Sequence, residues 1–165
     1  MKKLKNLIIA ILILPVVVSC SVDCNSAKKN IDIVDKYVKA VESMDLETME
    51  SLLDENYIGF GPSYGDSINK DLAIINWKYN IENLYKEIKY KKNLAASVKV
   101  EEGPNKGDWV SGWSELNITY KTGESVVIWA NTAYKIEDGK IAKSFTFYNE
   151  ADVLEQLGYV FININ

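Results

Sequence analysis

The side chains of this 165-residue chain that could do chemistry form a restricted set. There is no His, and all 19 basic residues are Lys. Without His there is no Ser-His-Asp or Cys-His relay and no imidazole metal ligand. Two Cys cannot build a disulfide scaffold or a zinc cage. No metal and no cofactor is therefore expected. The net charge is −4 and no Arg fork is present for bases or phosphates, which argues against specific nucleic-acid binding.

Positioning such side chains requires a core. The apolar content of 47% and the chain length suit one compact domain, not two. A helix is predicted after Asn30, an N-cap residue, with Asp32 in its first turn and Val34, Tyr37, Val38 and Val41 on one face. Asp45 can cap a second short helix carrying Leu46, Met49, Leu52 and Leu53. Tyr57 to Phe60 reads as a strand, and residues 61–66 as a loop. A third helix is predicted over about 70–89, with Ile74, Trp77, Ile81, Tyr85 and Ile88 as its stripe.

The apolar period then changes from 3.6 to 2. Strands are predicted at 94–101, 109–120, 125–137 and 140–148, joined by a Gly-Pro turn, by residues 121–124 and by Asp138-Gly139. One or two helical turns fit 149–157, before an apolar tail. Helices followed by an antiparallel meander make an α+β pattern. Helices packed on the concave side of a strongly bent antiparallel sheet give a cone with one open mouth, a shape that commonly holds a pocket.

Residues 1–19 stand apart from the fold. Lys2, Lys3 and Lys5 precede an apolar run, Leu7 to Val18, that is too short to span a membrane. The run ends in Val17-Val18-Ser19-Cys20, which resembles the bacterial lipobox. That resemblance implies cleavage before Cys20 and acylation of Cys20. The alternative is an ordinary signal peptide that a Cys happens to follow. Two or three acyl chains anchor stably where one would not. Loss of the leader removes three Lys and no acids, taking the charge from −4 to −7, so acyl chains rather than charge would hold the protein to a membrane. Ser21 implies the outer membrane, facing periplasm or surface, over the inner membrane. Residues 20–30 read as the lipidated Cys and a polar tether that includes Cys24, and 31–165 as the domain.

Three segments stand in order within that domain. They are Tyr37-Val38-x-Ala40-x-x-x-x-Asp45, Tyr134-Lys135-Ile136-Glu137-Asp138-Gly139-Lys140-Ile141, and Phe147-Tyr148-Asn149-x-Ala151-Asp152-x-x-x-Gln156-Leu157-Gly158. Together they resemble the nuclear transport factor 2-like, or SnoaL-like, superfamily, whose domain is cystatin-like. Isomerases, dehydratases, epoxide hydrolases, cyclases and non-catalytic binders all share that fold, so function must be read from the site.

Ketosteroid isomerase relatives are the best template. Their oxyanion Tyr falls on Tyr37, their general-base Asp on Gly61 before Pro62, and their second, protonated Asp on Thr132. One group of three survives, and Gly61 cannot move a proton. Tyr37 could also simply pack. Limonene-epoxide hydrolase relatives need an Arg and scytalone dehydratase relatives a His; both are missing. Cyclase relatives place an acid deep in the cone.

The same frame turns Ser114, Leu116, Ile118, Ile128, Ala130, Thr132, Tyr134, Ser144, Thr146 and Tyr148 inward, facing Trp77, with no carboxylate among them. The expected ligand contacts are Tyr37, Trp77, Ser114, Thr132, Tyr134, Thr146 and Tyr148. Tyr37 and Tyr148 are the candidate catalytic donors. Asp54 and Asp66 fall near the mouth and read as solvated loop acids. Trp113, Trp129, Phe145 and Phe147 then point outward, which implies a homodimer through the convex face. A bulge would reverse this and put the Trp residues in the pocket. Three functions stay open: binding of a small apolar ligand or a protein partner without catalysis, a SnoaL-type enzyme (isomerase, cyclase or dehydratase), and a structural envelope lipoprotein.

Overall fold

The computed structural model describes residues 24–162. The leader, Cys20 and its expected acylation lie outside the described residues. The elements are α1 (Cys24–Ser43), α2 (Leu46–Leu52), β1 (Leu53–Phe60), β2 (Ser67–Asn69), α3 (Lys70–Asn83), β3 (Tyr85–Val100), β4 (Gly107–Tyr120), β5 (Ser125–Glu137), β6 (Lys140–Tyr148) and α4 (Glu150–Gln156). The six strands form one curved, open sheet in the order β2-β1-β6-β5-β4-β3. All pairs are antiparallel except β1 with β6, which run parallel. The architecture is α+β.

The helices start and stop where capping chemistry allows. The Asp45 carboxylate accepts from the Thr48 N–H at 3.0 Å and from the Thr48 hydroxyl at 2.6 Å, closing the first turn of α2. Those bonds hold its carboxyl below the usual carboxylate range. Asn69 caps α3 through the Leu72 N–H, and Asn149 caps α4 through the N–H groups of Ala151 and Asp152. α1 begins at Cys24 rather than after Asn30, so residues 24–30 are helical and not tether. Asn30, the expected cap, lies inside that helix and is buried.

The second departure is larger. Residues 85–89 belong to β3 and not to a helix reaching 89. α3 ends at Asn83, and β3 pairs with β4 from Tyr85↔Tyr120 to Val100↔Gly107. Ile88 and Tyr90 alternate at strand period, and pairing with β4 wins over local helical spacing. Register shifts at Tyr85/Glu87 and Lys91/Leu94 interrupt this strand, with Lys92 in the left-handed region at φ 50°. Such irregularities bend a strand and increase its twist.

β4 and β5 pair without slip from Asp108↔Ile136 to Thr119↔Ser125. Side chains on this ladder therefore alternate strictly between the two faces. The core lies on the concave side, where Val34, Tyr37, Val38 and Val41 of α1 meet Ile88, Val110, Tyr134, Ile136 and Ile141 of the sheet. Met49, Val41, Val110, Val126 and Ile141 are almost completely buried. Each such side chain contributes about 1.5–3 kcal/mol by leaving water. Beyond Tyr148, β6 no longer covers β5. There the Gln156 side-chain amide accepts from the Val127 N–H at 2.9 Å and donates to the Val127 carbonyl at 3.0 Å, standing in for a strand.

Candidate functional site

Helices and sheet enclose a cavity of about 300 Å³ that is open to solvent on one side. α1 lines it with Asp35 and the Val34, Tyr37, Val38 and Val41 stripe, and α3 with Trp77 and Asn80. The opposite wall is the concave face of β4, β5 and β6. All ten sheet residues that the frame turned inward line the cavity, and the seven expected ligand contacts share it. No bulge reverses the faces of β4 and β5, and Trp113 and Trp129 stay out of the pocket.

Hydroxyl groups dominate the polar part of the wall. Seven of the ten tyrosines line it. The Tyr57 hydroxyl lies 2.7 Å from Ser144 Oγ. A Cβ at Gly59 would lie 2.5 Å from that phenol oxygen, so the glycine leaves the space in which the Tyr57 ring sits. Thr132 Oγ1 lies 3.2 Å from Thr146 Oγ1, and Tyr134 bonds to Thr132. The Ser114 hydroxyl donates to Asn93 Oδ1 at 2.7 Å. The Tyr37 hydroxyl bonds to the Trp77 indole, and its ring meets Tyr134 edge-on with centroids 6.1 Å apart. Among the described residues, the hydroxyls of Tyr85, Tyr90, Tyr120 and Tyr148 have no side-chain or backbone hydrogen-bond partner, leaving them available to a ligand.

Burial keeps these phenols neutral. It pushes Tyr134 up to about 12 against the opposing bond from Thr132. It pushes Tyr85 to about 12, with Tyr120 and Tyr148 adding to the effect. Tyr37 rises well above its ordinary value through burial, then through the neighbouring phenols Tyr57, Tyr134 and Tyr90. Tyr90 is raised by burial, then by Tyr134 and by the Glu42 carboxylate, which also accepts the Tyr90 N–H at 2.8 Å. Tyr148 is raised by burial and then by Glu150. Neutral phenols donate and accept hydrogen bonds but do not serve as bases near neutral pH.

Sequence reasoning missed Tyr85, Tyr90 and Asn93 because it continued α3 too far; the Ile88-x-Tyr90 alternation was the available signal. It also missed Asp35, the one charged residue lining the cavity. Asp35 is half-exposed and flanks the Val34–Val38 stripe of α1. Its helical spacing of three from Val38 could have flagged it. Among the described residues nothing hydrogen-bonds or ion-pairs with it. Asp54 and Asp66 do not line the cavity, and Asp54 instead accepts the Asn56 N–H at 2.8 Å.

Gly61, where the resemblance to isomerases places the base, sits at φ +91°. A Cβ there would lie 2.3 Å from the Thr146 carbonyl oxygen. No L side chain fits without moving backbone. On the convex face, Trp113, Trp129 and Phe147 are 45%, 64% and 57% exposed. Phe145 differs from its expected role as a free interface residue. It is half-buried and stacked between Phe60 (4.9 Å) and Trp109 (5.9 Å).

The raised phenols have a consequence for stability. A Tyr that ionises near pH 10 when unfolded, but only near 12 when folded, stabilises the fold fully below pH 10. That contribution is lost as pH rises towards 12. Urea midpoints are therefore expected to fall between about pH 10 and pH 12, while the tyrosinate absorbance of Tyr85 and Tyr134 in the folded chain rises only towards pH 12. Full ionisation of all ten tyrosines by pH 10.5 in the folded chain would contradict the buried wall.

No protein-family model matches the sequence, and no curated protein matches it significantly. Solved structures do match. A candidate polyketide cyclase from Xanthomonas campestris pv. campestris is 15% identical with a TM-score of 0.66, covering 79% of this chain and 98% of its own. A candidate polyketide cyclase from Pseudomonas putida KT2440 is 19% identical with a TM-score of 0.63, covering 75% and 94%. An LEH-like epoxide hydrolase from M. tuberculosis is 11% identical with a TM-score of 0.59, covering 80% and 91%. The α+β architecture, the curved sheet and these likenesses agree: the chain has the SnoaL-like, nuclear transport factor 2-like fold.

Proposed function

We propose that this chain is a lipid-anchored envelope protein whose domain binds a small, largely apolar ligand without transforming it. The cavity carries this reading: about 300 Å³ walled by aliphatic groups and neutral hydroxyls, with the base position at Gly61 closed by the Thr146 carbonyl. Its volume sits at the lower end of the range for small-molecule sites. That space also counts against a purely structural lipoprotein with a self-filled cone. The lipobox-like Val17-Val18-Ser19-Cys20 supports the anchor and an outer-membrane address.

A second reading is favoured by Asp35. A half-buried carboxylate lining the same cavity as Tyr37 and Tyr148, the candidate donors, suits proton transfer in a SnoaL-type isomerase, cyclase or dehydratase. The binding reading is preferred because Asp35 sits on a half-exposed helix flank and no acid stands deeper in the wall.

The convex face supports a homodimer. Cross-strand pairs place Leu94, Trp113, Asn131 and Phe147 in one row and Glu115 with Trp129 in the next. Lys92 pairs with Glu115 at 2.5 Å and lies 5.7 Å from the Trp129 ring centroid. The patch thus balances its own charge and does not repel its copy, although the chain as a whole is acidic. A two-fold axis would lay aromatic rows on aromatic rows.

Three measurements test these proposals. Native mass spectrometry of gently purified chain is expected to show a retained small mass, and a bare chain would shift the weight to the structural reading. Cys20→Ala is expected to leave the membrane fraction after detergent-free lysis, and equal partition of variant and wild type would end the lipid-anchor proposal. Trp129→Asp is expected to halve the sedimenting mass, and an unchanged mass would remove the convex-face dimer.

A further inference from the structure

The charges around the cavity are one-sided. Its polar lining consists of phenols, an indole, small hydroxyls and two Asn, with Asp35 as the sole ionised group. The charged groups that act on the wall tyrosines are Glu42 on Tyr90 and Glu150 on Tyr148, and both are acids. No Lys lines the cavity, although the chain has 19. An anionic ligand would lose its hydration here and meet only negative charge. The aromatic faces add to this bias. Tyr37 meets Tyr134 at 6.1 Å, Trp77 meets Tyr85 at 6.4 Å, and Tyr85 meets Tyr120 at 5.7 Å. Such a cluster presents ring faces and edges from several directions, and ring faces attract cations within about 6 Å of the centroid. Asp35 is left without a partner among the described residues, so a ligand cation would not displace an existing ion pair.

We propose that the cavity takes an organic cation, an amine with a compact apolar body, whose ammonium group lies against the tyrosine and tryptophan rings and is balanced by Asp35. This rests on the ligand-binding reading above and names the chemical class of its ligand. The apolar body occupies the aliphatic part of the wall, at Val38, Leu116, Ile118 and Ile128. The hydroxyls of Tyr85, Tyr90, Tyr120 and Tyr148, which have no partner among the described residues, supply acceptors for N–H donors that Asp35 does not take. Neutral phenols are better suited to this than phenolates, because the site then admits one positive charge without carrying several negative ones of its own.

The test uses three probes that share a benzyl body and differ in the charge of the head: 2-phenylethylammonium, 2-phenylethanol and phenylacetate. Each is titrated calorimetrically at pH 7 into the purified chain as the host cell processes it, with protein-free buffer of identical detergent content as reference. The amine is expected to bind at least tenfold more tightly than the alcohol, and phenylacetate more weakly than either. Asp35→Asn is expected to bring the amine to within about threefold of the alcohol while leaving alcohol affinity unchanged, which also reports that the cavity remains intact. Equal or tighter binding of the alcohol, or a cation preference that survives Asp35→Asn, overturns the proposal and leaves the apolar-ligand reading standing. Failure of all three probes to bind overturns both.

Discussion

The unbroken pairing of β4 with β5 is the constraint on which the rest of the molecule depends. Twelve consecutive residue pairs hold one register, from Asp108↔Ile136 to Thr119↔Ser125. A slip by one residue would exchange the faces. The hydroxyl and aliphatic wall would turn to solvent, and Trp113 and Trp129 would turn under α1. Every statement about the cavity is thus a statement about parity. The tight Asp138-Gly139 turn, with both residues at positive φ, fixes the start of the β5–β6 ladder. The irregularities are kept to the flanks, in β3 and between Lys135 and Ile136, where they bend the sheet without exchanging the faces that matter.

This explains what could be read from the sequence. The four meander strands alternate so regularly that their inward set could be named residue by residue, and the structure brings those ten side chains to one cavity. Tyr37 and Trp77 could be placed because helical spacing put each in an apolar stripe. Two things were not legible. Tyr85 and Ile88 are spaced to extend the stripe of α3, and only the pairing of β3 with β4, a long-range interaction, makes them strand. Asp35 looks like one more charge on a solvated helix flank until the curvature of the sheet brings a wall opposite it. In both cases the deciding partner lies far along the chain.

At Gly61 the backbone itself excludes a side chain. From sequence, the glycine only lacks a carboxyl group. In the fold it has a positive φ and approaches the Thr146 backbone so closely that any side chain would collide. Thr146 is itself a wall residue, with its hydroxyl 3.2 Å from that of Thr132. Gly61 and Thr132 are therefore linked through one residue, by a backbone contact and a neutral hydroxyl pair.

The electrostatics follow from this hydroxyl-lined wall. A cone with acids deep in its wall can hold a proton in transit; a cone of buried phenols cannot, because burial raises their ionisation far above neutral pH. What such a wall can do is match hydrogen bonds in either direction and present ring faces. The charged side chain among the described lining residues, Asp35, sits on the flank of α1, where solvent reaches it and it has no ion-pair partner among the described residues. A carboxylate in that position is poorly placed to take a proton from the centre of the cavity, but it can set the sign of charge that enters. In this chain the fold thus closes its cavity with buried phenols and ring faces, and keeps the charge at its edge.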